Sequence, residues 1–156
     1  MRYWLGMLLV LVLGGCGLKP TIEQSQSVHL TLRTPVLRLS DMAFVRQGVN
    51  FTNVQVFSAG QIVLDLRLDE NICLNGSCYE KTAFNTHFFN DPHYPEFMEA
   101  ILHKQPIYDR QHLTLTSEGF TQEIPLRGRT LWYEVSQKQS LFRDQERGIL
   151  VRLLWQ

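Results

Sequence analysis

Three cysteines and five histidines are the residues of this 156-residue chain with the most chemistry to offer. Cys73 and Cys78 bracket Leu74-Asn75-Gly76-Ser77. Asn-Gly is a strong signal for a two-residue hairpin turn, and a turn there brings the two thiols opposite each other, as a disulfide requires. A metal or redox pair is the alternative. Against zinc, Cys-x4-Cys comes with no second cysteine pair and no histidine doublet, and it is not the Cys-x-x-Cys of thiol oxidoreductases. The histidines are scattered: His87 and His93 bracket a helix end, His103 lies in the next helix, and His29 and His112 sit among strand residues. None has the spacing of a zinc protease motif. No Gly-x-Ser-x-Gly elbow presents a nucleophile, no glycine-rich loop could cradle a phosphate, and neighbouring acids such as Asp69-Glu70 would point to opposite faces of a strand. The expectation is a protein that is not an enzyme and holds no metal or cofactor.

Cys16 has a different setting. Arg2 gives a positive start, Leu5 to Leu13 carries no charge, and Gly14 and Gly15 precede the cysteine. These are the n-region, apolar h-region and small-residue cleavage site of a secretory signal. Leu13-Gly14-Gly15-Cys16 resembles the lipobox of bacterial lipoproteins. The resemblance implies a diacylglyceryl group on the Cys16 sulfur, cleavage before Cys16 and acylation of the new amine. One acyl chain holds a protein on a bilayer only marginally, whereas two or more hold it stably. An ordinary signal with a chance cysteine and an uncleaved anchor are the competing readings, but the apolar run is about half the ~20 residues of a spanning helix. In the lipoprotein family a residue other than Asp after the cysteine accompanies release to the outer membrane, and here that residue is Gly17. The implied location is the outer membrane, with the domain in the periplasm.

Without residues 1–15, 141 residues remain, the size of one domain. Arg2 is the one basic residue removed, so 14 basic residues face 15 acidic ones. The charges are scattered singly and in pairs, so no basic patch speaks for nucleic acid. Residues 16–26 read as a lipidated tether and 27–156 as a single β-rich domain.

Positioning these groups falls mainly to strands. Val28, Leu30 and Leu32 alternate with polar residues, and Val54 to Phe57 and Ile62 to Leu68 predict a hairpin about Ser58-Ala59-Gly60. Asp41 to Val45 reads as a loop or short strand. After Cys78 the period changes. Tyr79, Ala83, Phe84, His87 and Phe88 fall at helical spacing, as do Phe97, Met98, Ile101 and Leu102, which predicts two short helices within about 80–105. Each is too short to stand alone and must pack on the sheet. Strand patterning returns from Leu113. The final run Ile149–Trp155 is apolar on both faces, which predicts a central or covered strand. Eight or nine strands with turns between them imply a mainly β fold: an antiparallel β-sandwich, immunoglobulin-like, with an inserted helical pair. The alternative is an α+β sheet capped by both helices.

Asp41-Met42-Ala43-Phe44-Val45, Ile72-Cys73 through Cys78-Tyr79, and Phe84-Asn85 resemble a family of small lipoproteins from epsilon-class proteobacteria. The resemblance covers most of the mature domain and implies no activity and no catalytic or binding residues. Phe88, Phe89, His93, Tyr94 and Phe97 crowd the turn between the helices. They either fill the helix–sheet interface or leave a patch for a protein contact. The expected role is binding or scaffolding of an envelope protein partner, with the membrane reached through Cys16. Carriage of a lipid or other apolar ligand is the alternative, and it needs an apolar cavity between the sheet and residues 80–105.

Overall fold

The computed structural model describes residues 21–156. The signal-like segment, Cys16 and residues 17–20 lie outside the described residues. Six strands come first: β1 (Ile22–Arg33), β2 (Arg38–Gly48), β3 (Thr52–Ser58), β4 (Gln61–Leu68), β5 (Ile72–Leu74) and β6 (Ser77–Tyr79). Two helices follow, α1 (Lys81–Phe89) and α2 (Phe97–Leu102). Five strands complete the chain: β7 (Leu113–Leu115), β8 (Phe120–Leu126), β9 (Arg129–Val135), β10 (Gln139–Asp144) and β11 (Ile149–Trp155).

All eleven strands join one antiparallel sheet in the order β6-β5-β4-β3-β2-β1-β11-β10-β9-β8-β7. It consists of two meanders joined where β1 pairs with β11, Val28 opposite Trp155 and Leu32 opposite Val151. A flat sheet of this size would be about 48 Å wide, far more than two helices of about 10–12 Å diameter can cover. Yet Leu30 of β1, Leu66 of β4, Leu131 of β9 and Val151 of β11 are all buried in one core with Phe84, Phe89 and Phe97 of the helices. The sheet therefore curls around the helical pair, and its two halves face each other across it. This is the sandwich-like layering expected from the sequence, with both layers continuous through the β1–β11 pairing.

Period-two patterning explains the inner face. Val28, Leu30 and Leu32 of β1, Val54 and Val56 of β3, and Ile149, Val151 and Leu153 of β11 are buried. The two-faced strand β11 is central, as its sequence predicts. β2 is longer than expected, since Asp41 to Val45 belongs to an eleven-residue strand. The tether is correspondingly shorter: residues 22–26, read as linker, form the start of β1 and pair with β2 as far as Gly48. Glu23-Gln24-Ser25-Gln26 carries no apolar alternation because this part of the ribbon is exposed, so backbone pairing alone makes it a strand.

The helical pair fills the concave face. Glu80 caps α1 by accepting from the Thr82 and Ala83 amides, and Asn90 ends it in the left-handed conformation that suits a C-cap. Phe84, Phe88 and Phe89 of α1 and Phe97, Met98, Ile101 and Leu102 of α2 are buried. Phe84 stacks on Phe88 at 4.9 Å, and Phe89 meets Phe97 edge-on at 5.1 Å. Among the described residues no helix is long and apolar enough to cross a membrane.

Candidate functional site

The helical pair is fixed at one end of the curled sheet by buried charge. Asp91, just after α1, is fully buried. It accepts from Arg127 at 2.6 Å and from Arg129, with Arg147 at 3.1 Å. Arg129 also donates to Asp144 at 2.7 Å. Burial by itself would raise the Asp91 pKa, but the Arg129 hydrogen bond and the nearby positive charges outweigh it and hold the carboxyl below its ordinary value. Burial would likewise lower Arg129, and its two carboxylate partners reverse that. Two residues on, His93 stacks on Phe97 at 3.9 Å and hydrogen-bonds the Tyr108 hydroxyl. Burial lowers its pKa to about 4, with Asp91 opposing, so the imidazole is neutral near pH 7. Asp91, Arg129 and Asp144 are buried and paired with one another, while Arg127 and Arg147 reach the carboxylate from the surface, which suits the cluster to fastening the helices.

Beyond α2 the chain turns through Tyr108, Asp109 and Arg110, all with positive φ of 47°, 52° and 64°. Three consecutive left-handed residues are costly for L-amino acids. The turn is stapled by Gln122 of β8, which accepts from the Ile107 amide at 2.9 Å and donates to the Ile107 and Gln111 carbonyls at 2.9 and 2.8 Å.

The accessible features lie around α2. A cleft of about 610 Å³ separates it from the β2–β3 turn and is lined by Val49, Phe51, Thr52, Lys81, Glu99 and His103, among others. A second, of about 740 Å³, lies beside the left-handed turn, lined by Tyr94, Pro106, Tyr108, Asp109 and Arg110. Glu96, Ala100 and Gln105 border both. Both volumes are in the range of small-ligand sites. In the first cleft His103 Nε2 lies 2.8 Å from the Thr52 hydroxyl, and burial lowers the His103 pKa against the opposing Glu99 charge. Glu99 is itself paired with Lys81 at 2.8 Å. Thr52 is buried and among the described residues no third side chain hydrogen-bonds the imidazole, so the pair lacks the geometry of an activated nucleophile. The second cleft joins two tyrosines, in edge contact at 5.3 Å, to an arginine. Tyr and Arg dominate the energetics of protein interfaces.

The residues singled out from sequence divide clearly. Cys73 and Cys78 form a disulfide as directly opposed residues of the β5–β6 hairpin, with Asn75 and Gly76 both at positive φ in the turn. The turn is tied to β4, since Asn75 Oδ1 accepts from the Asp65 amide at 2.8 Å. Phe88, Phe89 and Phe97 are buried, so their side chains fill the helix–sheet interface and offer a partner no surface. Tyr94 alone of that group reaches a cleft. The apolar cavity that a carrier would need is occupied by the α2 side chains. Cys16 lies outside the described residues. Among the described residues no group of three His, Cys, Asp or Glu is placed to hold a metal ion. Sequence reasoning missed Asp91, Arg129, Asp144 and Gln122, whose only signal is a polar residue within an apolar or turn context.

The chain matches no protein-family model, and no curated protein matches it.

Proposed function

We propose that this protein is a lipid-anchored envelope protein, held at the outer membrane through Cys16, whose periplasmic domain binds an envelope protein partner without catalysing a reaction. The observation that carries the reading is Leu13-Gly14-Gly15-Cys16 behind an uncharged apolar run, a lipobox pattern that comes only six residues before the first strand begins at Ile22. The cleft beside Tyr94, Tyr108 and Arg110 supports a binding role: it is open, it combines aromatic and cationic groups, and the Gln122 staple holds one wall in a fixed conformation. That preorganisation lowers the ordering cost of an interface.

In-cell crosslinking and pulldown of the native protein, beside Cys16→Ala and Tyr94→Ala variants, tests this reading. Enrichment of one envelope protein that needs both Cys16 and Tyr94 is the expected result. A co-purifying lipid with no enriched protein would favour carriage of an apolar ligand instead, which would require α2 to leave the space that Phe97, Met98 and Ile101 fill. A mass and membrane fractionation unchanged by Cys16→Ala would overturn the anchor.

A further inference from the structure

At one end of the sheet the β1–β2 ribbon runs past its β11 neighbour, while β2 keeps its β3 partner as far as Gln47 opposite Thr52. β1 pairs with β11 only from Val28 onward, whereas its pairing with β2 continues back to Ile22 opposite Gly48. The stretch of β1 without a β11 partner is about 20 Å long at the rise of a strand. Its flanks, Glu23 to Gln26, are polar and exposed. Its tip is apolar: Val49 is 72 % and Ile22 51 % exposed. Phe51 stands beside them, half-buried under the Arg67 guanidinium at 5.2 Å from the ring centre. The tip is tightly made, because a Cβ on Gly48 would meet Phe51 at 2.2 Å and the Thr21 carbonyl at 2.7 Å.

This tip is also where the chain leaves for Cys16. Cys16 can lie at most about 20 Å from Ile22 along a fully extended chain. The exposed apolar pair Ile62 and Val63 lies at the β3–β4 turn, at the other end of β3 from Val49. A short leash fixed at one end of the sheet presents that end to the membrane and holds the other away from it.

We infer that the tip formed by Ile22, Val49 and Phe51 is a bilayer-contact surface, which seats in the interfacial layer of the membrane that carries the anchor. The inference rests on lipidation at Cys16. It also orients the domain: the cleft between Val49 and α2 opens beside the lipid surface, and the Asp91 cluster points away from it.

The test uses the mature acylated protein reconstituted in phosphatidylethanolamine–phosphatidylglycerol vesicles with brominated acyl chains. A Val49→Cys variant and, separately, a Val63→Cys variant are labelled with an environment-sensitive fluorophore. Both sites are exposed, so neither substitution disturbs the core. The expected result is a blue shift and loss of emission by bromine quenching at position 49, with neither at position 63. A water-like, unquenched spectrum at position 49, or equal quenching at both positions, overturns the orientation. Intact mass separates the two claims. A lipid-bearing protein with position 49 in water overturns this inference alone, and a protein without lipid overturns the anchor and this inference together.

Discussion

Asp91, in the segment between the two helices, is buried against Arg129 of β9, thirty-eight residues further along the chain. Arg129 is in turn held by Asp144 of β10. The three side chains bind the end of α1 to the two strands beneath it. Removing Asp91 takes one of two carboxylates from the buried Arg129 guanidinium and leaves it with Asp144 alone, which costs about 3 kcal/mol. Asp91→Ala is therefore expected to destabilise the domain by about that amount in urea unfolding. Arg127 touches the same carboxylate, but its side chain is 54 % exposed. Water already screens that contact, so Arg127→Ala should cost under about 1 kcal/mol. Equal losses for the two variants would show that Asp91 is not the fastening point.

The left-handed turn at Tyr108–Arg110 depends on one amide. Gln122 is fully buried and is bonded to the Ile107 amide and to the carbonyls of Ile107 and Gln111. Gln122→Leu keeps similar bulk but orphans these groups, at about 1–3 kcal/mol for each buried polar group left unpaired. The expected outcome is a lower midpoint together with faster amide exchange at Ile107. It should also weaken partner capture through the Tyr94–Tyr108 cleft, since one wall of that cleft is the stapled turn.

These two residues also mark the limit of what the sequence reveals. Period-two runs identify the strands because one face of the sheet is buried along its length, and the aromatic spacing identifies both helices. The Cys73–Cys78 pairing follows from Asn75-Gly76, a local turn signal. Ile22 to Gln26 escapes notice because pairing with β2 involves backbone groups, which every residue shares. Asp91, Arg129 and Gln122 escape for another reason. Their roles come from partners 11 to 38 residues away, and a polar side chain in isolation reads as surface. Strand count alone also cannot distinguish two stacked sheets from one sheet curled on itself. That difference is decided by the β1–β11 pairing of the chain's two ends.

The disulfide closes a loop of only five residues' separation at the edge of the sheet. Loop-closure entropy for so short a loop is worth about 2 kcal/mol, and the surrounding hairpin has its own backbone pairing and the Asn75–Asp65 bonds. A Cys73→Ser, Cys78→Ser double variant should fold with the same far-ultraviolet circular dichroism and lose about that much stability. Thiol reductant should destabilise the native protein equally and leave the double variant unchanged. Failure of the double variant to fold would mean that the edge hairpin nucleates the sheet.

Acid should weaken the fastening through His93 before it reaches the carboxylates. The folded pKa of His93 is lowered to about 4 by burial, whereas an unfolded histidine titrates near 6.5. Between these values the unfolded chain binds a proton that the folded one does not. Stability is therefore complete above about pH 6.5 and falls as the pH drops toward 4, by up to about 3 kcal/mol. Asp91, whose folded pKa is also lowered, adds its own loss only below the ordinary carboxylate pKa of 3.8. The two windows separate the two groups. His93→Phe preserves an aromatic ring against Phe97 and removes that titration, so its unfolding free energy should fall less than the native protein's from pH 6.5 to 4.5, keeping only the share of His103, which burial also lowers. Parallel declines in both proteins would assign the acid sensitivity to another group.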